Sequence, residues 1–306
     1  MLGEFKRALE TAMPPAWFPL VANQFKSNQA SEEYPWLSAT PALREWLGGR
    51  NANSFTESSI SISNKDWEST LNVDIKDLRR DKFDMIRPRI QDLVKRAMTH
   101  PASILSTLID NGEAGTCYDG QYFFSTSHAE GSSGTQSNDI TVTIAGVPAT
   151  VHGTATAPSV EEFQIAIGQA VASIMGYKDG AGEPMNEDAS SFLVMAPASY
   201  YNTAMQAVTG VQQVGASQTI LEALKGDFNI RAVINPRLTW TTKFAVIRTD
   251  SYIKPFIFQR ETDITIGAKA EGSEYEFDNK AHQYGVDYSG NVGYGLWQRA
   301  CLVTLA

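Results

Sequence analysis

Cys117-Tyr118-Asp119 is followed eleven residues after the cysteine by His128. A cysteine and a histidine are the pair a thiol hydrolase needs, because the imidazole takes the thiol proton and leaves a nucleophilic thiolate. The plainer reading is a small buried thiol and a loop histidine making a structural hydrogen bond. The other three histidines, His100, His152 and His282, fall in three further elements. No His-x-x-x-His, Cys-x-x-Cys or Asp-x-Asp-x-Asp-Gly spacing supplies a metal site. No phosphate-cradling Gly-x-x-x-x-Gly-Lys, dinucleotide Gly-x-Gly-x-x-Gly or nucleophile-elbow Gly-x-Ser-x-Gly occurs. Asp287 and Glu261 sit near strand-like segments, and one sequence does not make them a catalytic pair. The residues therefore point to no catalytic site, no cofactor and no metal, with a Cys117/His128 hydrolase kept as the enzyme alternative.

The elements that would position these residues are those of an ordinary folded chain. It has 306 residues, 42% hydrophobic and 10% aromatic, which suits a globular protein of roughly two domains. Its apolar runs, such as 192–197, are too short to span a membrane, and residues 1–7 do not read as a signal peptide. Two cysteines exclude a disulfide scaffold. The 25 basic and 34 acidic residues give a net charge of −9, which argues against a surface built to wrap DNA. The charge is also segregated. Residues 76–96 carry eight basic and four acidic side chains, whereas 97–177 carry seven acids and no Lys or Arg. That fits either two solvated faces or complementary faces on neighbouring copies.

Residues 1–50 read as an irregular arm opened by a short amphipathic helix over 2–12. Trp17, Phe18, Phe25, Tyr34, Trp36 and Trp46 give it more aromatic surface than it can bury alone, so it must lean on the body or on a neighbour. Alternation at Ile60–Ser63 and Leu71–Ile75 predicts two half-buried strands of a hairpin with a polar tip at 64–70. From Phe83 the period becomes helical, continuing past Thr99-His100-Pro101 to Asn111-Gly112 as a rod of about 28 residues. Residues 139–144 and 147–151 predict a second hairpin turning at Ala145-Gly146, inside a flexible insertion at 131–157. Ser159 caps a helix reaching Met175. Strands follow at 192–195, 228–234 and 244–248, with a helix over 197–207. The last third reads as mostly β: 256–258, 264–266, 275–277, 283–287 and 296–304. Helices and strands mix without a βαβ repeat, so the fold class is α+β.

The run Cys117-Tyr118-Asp119-Gly120-Gln121-Tyr122-Phe123-Phe124-Ser125-Thr126-Ser127-His128 resembles the signature of the major head protein of Mu-like phages, the gpT family. Lys254–Glu261 and Tyr284–Gln298 are similar to that family's later strands, in the same order along the chain. The resemblance implies an HK97-like capsid fold with an N-terminal arm, an extended E-loop hairpin, a long spine helix, and peripheral and axial domains. On this chain the arm would be 1–50, the E-loop 51–80, and the peripheral domain 81–184 with the 131–157 insertion. The axial domain would be 185–250, with C-terminal strands over 251–306 completing the peripheral domain. The implied function is a non-enzymatic major capsid protein, made in the host bacterial cytoplasm and residing in the virion. It would self-assemble through hexamers and pentamers into an icosahedral shell around double-stranded DNA, without sequence-specific binding and without a membrane. The implied partners are a separate scaffold, a maturation protease, the portal and a decoration protein. An encapsulin-like shell of the same fold is the other alternative. Candidate contacts between copies are Trp17, Trp36, Trp46 and Trp67, with Asp77, Arg79, Arg80, Asp81 and Lys82 at the base of the E-loop. Each tryptophan could equally pack inside its own subunit.

Overall fold

The structure is a computed structural model that describes residues 2–34, 59–80, 83–209 and 228–306. The chain begins with helix α1 (Leu2–Thr11) and a single turn, α2 (Phe18–Val21). Strands β1 (Ala22–Lys26), β2 (Ser31–Tyr34), β3 (Ile60–Ser63) and β4 (Asp66–Asp74) follow, then the short helix α3 (Ile75–Arg79) and the long helix α4 (Phe83–Asp110). The middle holds β5 (His128–Ala129), β6 (Thr135–Gln136), β7 (Asp139–Val142), α5 (Val160–Gly176), β8 (Ser191–Ala196) and α6 (Tyr201–Thr209). The last part holds β9 (Asn229–Ile234), β10 (Lys243–Arg248), β11 (Phe256–Lys269), α7 (Glu274–Asn279), β12 (Ala281–Tyr294) and β13 (Ala300–Leu305).

Two sheets organise these elements. The first has the order β1-β11-β12-β4, with β1 parallel to β11 and the other pairs antiparallel. The second has the order β7-β13-β10-β8-β9. Its strands β8, β10 and β13 are almost continuously buried, as apolar runs covered on both faces should be. α5 packs on β10 and β13, and Phe163 of α5 lies 4.3 Å from Phe244 of β10. α5 starts at a capping box, in which Ser159 accepts from the Glu162 N–H and Glu162 accepts from the Ser159 N–H.

α4 spans 28 residues and carries Pro88 and Pro101 inside it. Its N-terminal half buries Ile86, Ile90, Leu93 and Val94 with Phe5 of α1 and with Val73, Tyr284 and Val286 of the first sheet. Its C-terminal half buries Leu105 and Ile109 in the larger core. Phe5 stacks on Tyr284 at 5.3 Å, so the opening helix is part of the body.

Four expectations are corrected. The arm is not irregular where it is described: β1 joins the first sheet, and Phe18 packs edge-on to Phe258 at 5.4 Å. The strands at 60–63 and 71–75 do not form a hairpin with each other. β3 pairs with β2, β4 pairs with β12, and the expected tip is a tight turn running straight into β4. Residues 139–151 are not a hairpin either; β7 pairs in parallel with β13 and adds an edge to the second sheet. Tyr275–Phe277 is helical, because Ser273 caps α7 by accepting from the Glu276 N–H.

Leu105 has no exposed surface. Leu105→Ala is expected to lower unfolding free energy by about 3 kcal/mol. Arg96→Ala, at an exposed i,i+4 pair with Asp92, is expected to change it by less than about 0.5 kcal/mol. Chemical denaturation of both variants checks this.

Candidate functional site

The cysteine and histidine that open the question of catalysis lie on one loop that folds onto the C-terminal segment. A turn at Gly120, with φ of 81°, brings Asp119 back over the loop, and the Cys117 N–H donates to Gln121 O at 2.7 Å. Cys117 is buried, and its thiol donates to Gly295 O at 3.5 Å. Burial first, and then the charge of Asp119, push this thiol far above the ordinary cysteine range, so it holds its proton. His128 is fully buried. Its Nδ1 lies 2.6 Å from Asp119 Oδ2 and its Nε2 lies 3.1 Å from Asn138 Oδ1. The ring is stacked on Trp297 at 3.9 Å. Asn138 is itself fixed, accepting from the Ser125 N–H and donating to Phe123 O. Both imidazole nitrogens are therefore occupied by the fold. His128 is a staple between the loop and the chain end, not a base for a thiol, and the hydrolase reading is corrected.

Among the described residues no group of three or more His, Cys, Asp or Glu could hold a metal ion, and no helix is long and apolar enough to cross a membrane. A cavity of about 240 Å³ lies between α1, α4 and β11, lined by Leu9, Phe18, Met98, Pro101, Phe258 and Tyr288 among others. Arg260 and Asp263, also in its lining, pair with each other at 2.9 Å, so they are not arranged to hold a charged ligand.

The predicted contact residues are dispersed. Trp67 lies at the start of the first sheet's edge strand, half-buried, 4.5 Å from the His100 ring, and its Nε1 donates to Gly290 O at 2.9 Å. Trp17 is half-buried against Phe18. Trp36, Trp46, Asp81 and Lys82 lie outside the described residues. Asp74 caps α3 by accepting from the Lys76 N–H at 2.7 Å. Asp77 is half-buried in that helix, and Arg79 and Arg80 are exposed at its end. Asn64, expected at a free tip, donates to Ser27 and Gln29 and accepts from Gln259 Nε2 at 2.8 Å.

One surface was missed by sequence reasoning. β11 and β12 are each 14 residues long and form the longest pairing among the described residues. β11 is buried at its start and mostly exposed beyond Arg260. The hairpin ends in α7, where Phe277 is 87% exposed. The signal was present as Ser273-Glu274-Tyr275-Glu276, a helix-start pattern with Glu three residues after Ser.

The family described as the Mu-like prophage major head subunit gpT matches residues 1–148 and 222–304. The chain belongs to this family. The Mu-like prophage FluMu major head subunit of Haemophilus influenzae is 33% identical over 127 residues, covering 42% of this chain and 41% of that protein. The major capsid protein of Escherichia phage Mu is 31% identical over 125 residues, 41% of this chain and 40% of that protein. The aligned stretches thus span about two fifths of these relatives. Among solved structures, the procapsid of bacteriophage JBD30 superposes with a TM-score of 0.57 at 23% identity, over 99% of this chain and 72% of that one. The mature capsid of bacteriophage PhiM1 superposes at 0.50 and 11% identity, over 93% of this chain and 85% of that one. The fold is the HK97-like capsid fold, and this family is structural, not enzymatic.

His100 and Cys117 each make a testable prediction. Burial and then the Arg237 guanidinium hold the His100 imidazole below its ordinary value, while its Nδ1 meets Tyr288 Oη at 2.6 Å. The unfolded chain therefore takes up this proton first, at about pH 6.5. This contribution is fully present above that pH and is lost as pH falls below it. Thermal unfolding between pH 8 and pH 5 is expected to show that loss, and His100→Gln is expected to flatten it. Separately, iodoacetamide is expected to leave Cys117 unmodified in the native chain at pH 8 and to alkylate it in denaturant, read by peptide mass.

Proposed function

We propose that many copies of this chain close into an icosahedral shell around packaged double-stranded DNA, as the major capsid protein of a Mu-like phage head. The observation that carries this reading is family membership over 1–148 and 222–304 combined with an HK97-like fold. A shell protein works by geometry, so the absence of an assembled catalytic pair at Cys117 and His128 costs this reading nothing. Hexamers and pentamers of one chain require contacts that tolerate small changes of angle. The exposed half of the β11–β12 hairpin and the exposed basic end of α3 are surfaces suited to that. Among the tryptophans, Trp17 and Trp67 keep a solvent-facing part after packing inside their own subunit, and we retain them as anchors on neighbours.

The net charge of −9 suits a container whose wall does not hold its DNA tightly, since strong phosphate binding would resist packaging and release. We assign the chain to the virion. A separate scaffold, a maturation protease and the portal complete the expected set of partners. A decoration protein belongs to it as well; the JBD30 capsid, a structure of the same fold, is described as decorated with minor capsid protein trimers.

Electron microscopy of the purified chain, with light scattering on the eluting protein, tests this reading. Closed shells, tubes or five- and six-membered rings are the expected outcome. A monomer that persists across salt and concentration, with and without a co-expressed scaffold, would count against it.

A further inference from the structure

The free end of the β11–β12 hairpin carries two short helices side by side. The Ile75 N–H at the start of α3 donates to Lys280 O at the end of α7 with a distance of 3.0 Å. The two helices have opposite character. α7 exposes Glu274, Phe277 and Asp278, with Glu271 exposed just before it, whereas α3 and its end expose Lys76, Arg79 and Arg80. Their adjacency is felt at Glu276. The Gly272 N–H, then His282, hold its carboxyl below the usual range, and Arg79 adds to the effect across the gap. Phe277 is the large aromatic at the centre of this end, and it is 87% exposed. Nothing among the described residues covers it.

An exposed aromatic flanked by Glu274 and Asp278, next to a basic patch on the same extremity, offers opposite charges to two different neighbours. Rotating one copy brings the acidic helix of the first against the basic helix of the second. That contact is head-to-tail, the kind that forms a ring when the rotation between copies closes. We infer that this two-signed tip is an interface between copies of this chain, with α7 of one copy seated against α3 of the next and Phe277 buried between them. The inference rests on the shell reading above and deepens it by assigning the contact to named residues. It also gives the exposed Arg80 a partner. Exposed ion pairs are individually weak, so the aromatic supplies the affinity and the charges set orientation and register.

A charge exchange tests it on the full chain. One variant carries Glu274→Arg with Asp278→Arg, another Arg79→Glu with Arg80→Glu, and a third all four substitutions. A fourth carries Phe277→Ser. All positions are exposed, so thermal unfolding of each unassembled variant is expected to match the wild type. Sedimentation velocity and electron microscopy then read assembly. Each two-site reversal and Phe277→Ser are expected to reduce the assembled fraction at least tenfold, and the four-site exchange to restore it. A two-site reversal or Phe277→Ser that assembles like the wild type overturns the inference while leaving the shell reading intact, as does a four-site exchange that recovers nothing. A wild-type chain that stays monomeric across salt and concentration, with and without a co-expressed scaffold, overturns both.

Discussion

The burial of α4 is the constraint on which the rest of the structure depends. A helix of 28 residues is about 42 Å long, too long for one small core to cover. Its two halves are buried by different groups. Ile86, Ile90, Leu93 and Val94 face α1 and the first sheet, while Leu105 and Ile109 enter the larger core that also holds the second sheet. Polar ties then fix the C-terminal half lengthwise. Asn235 Nδ2 donates to Ser106 Oγ, Arg237 to Ser103 Oγ, and the Thr239 N–H to Asp110 Oδ1, at 2.9, 2.9 and 3.1 Å. These contacts come from the turn between β9 and β10, so the helix sets the position of the second sheet relative to the first. His100 stands between the two halves, next to Pro101, which lacks the backbone donor a helix interior uses. Its contacts to Trp67 and Tyr288 support the rod from the first sheet where its own ladder is interrupted.

A second fixed point lies deep in the other body. Arg248 is 2% exposed, yet it is ion-paired to Asp250 at 2.7 Å and to Asp188 at 2.8 Å and donates to Asn186 Oδ1. Arg299 donates to the same Asn186 and to Met185 O. Burial first, and then the neighbouring Arg248, push Arg299 down to about 10. Two guanidinium groups close together in a core are costly unless every partner is in place. Asn186 answers by donating to Ile174 O and Gln298 O. The segment at 185–190 is thereby locked to the end of α5, to β10 and to the turn that precedes β13. Arg299 Nε is buried without a partner, so the network adds little net stability even as it ties these elements together.

What the sequence revealed and what it concealed divide along the range of the interaction. The long helix was legible because the helical period is local, as was the buried strand at Phe192–Met195. The Ser159 cap was legible because capping is local to the first turn. Alternation at 60–63 and 71–75 correctly marked strands, but a strand's own pattern says which face is buried and not which strand is beside it. β4 finds its partner in β12, more than two hundred residues later, and β7 finds its partner in β13 at the chain end. Adjacent strands in sequence invited hairpins that non-local pairing displaced. Tyr275–Phe277 misled for a related reason. Aromatic residues favour strands by propensity, and here a single serine cap outweighed that preference. The contact residues were least legible of all, because an intermolecular surface leaves no period in the sequence. Trp67 illustrates this: its type suggested an anchor, and its place at the start of β4, opposite Tyr288, is set by a partner strand no local pattern names.

These features place stability and association in different parts of the molecule. The apolar burial along α4 and the Arg248–Arg299 network are completed within one chain among the described residues. The surfaces left at its extremities carry charge and isolated aromatics, and each such contact is worth little on its own, about 0–1 kcal/mol for an exposed ion pair. For a shell this division is an advantage. Contacts that are individually weak can break and re-form while misplaced copies are corrected, and closure multiplies them into a stable whole. A protomer held together by its contacts would lose that freedom, because each dissociation would also unfold it. The rigid interior is therefore what allows the surfaces to be weak, and weak surfaces are what allow one sequence to serve at positions of differing curvature.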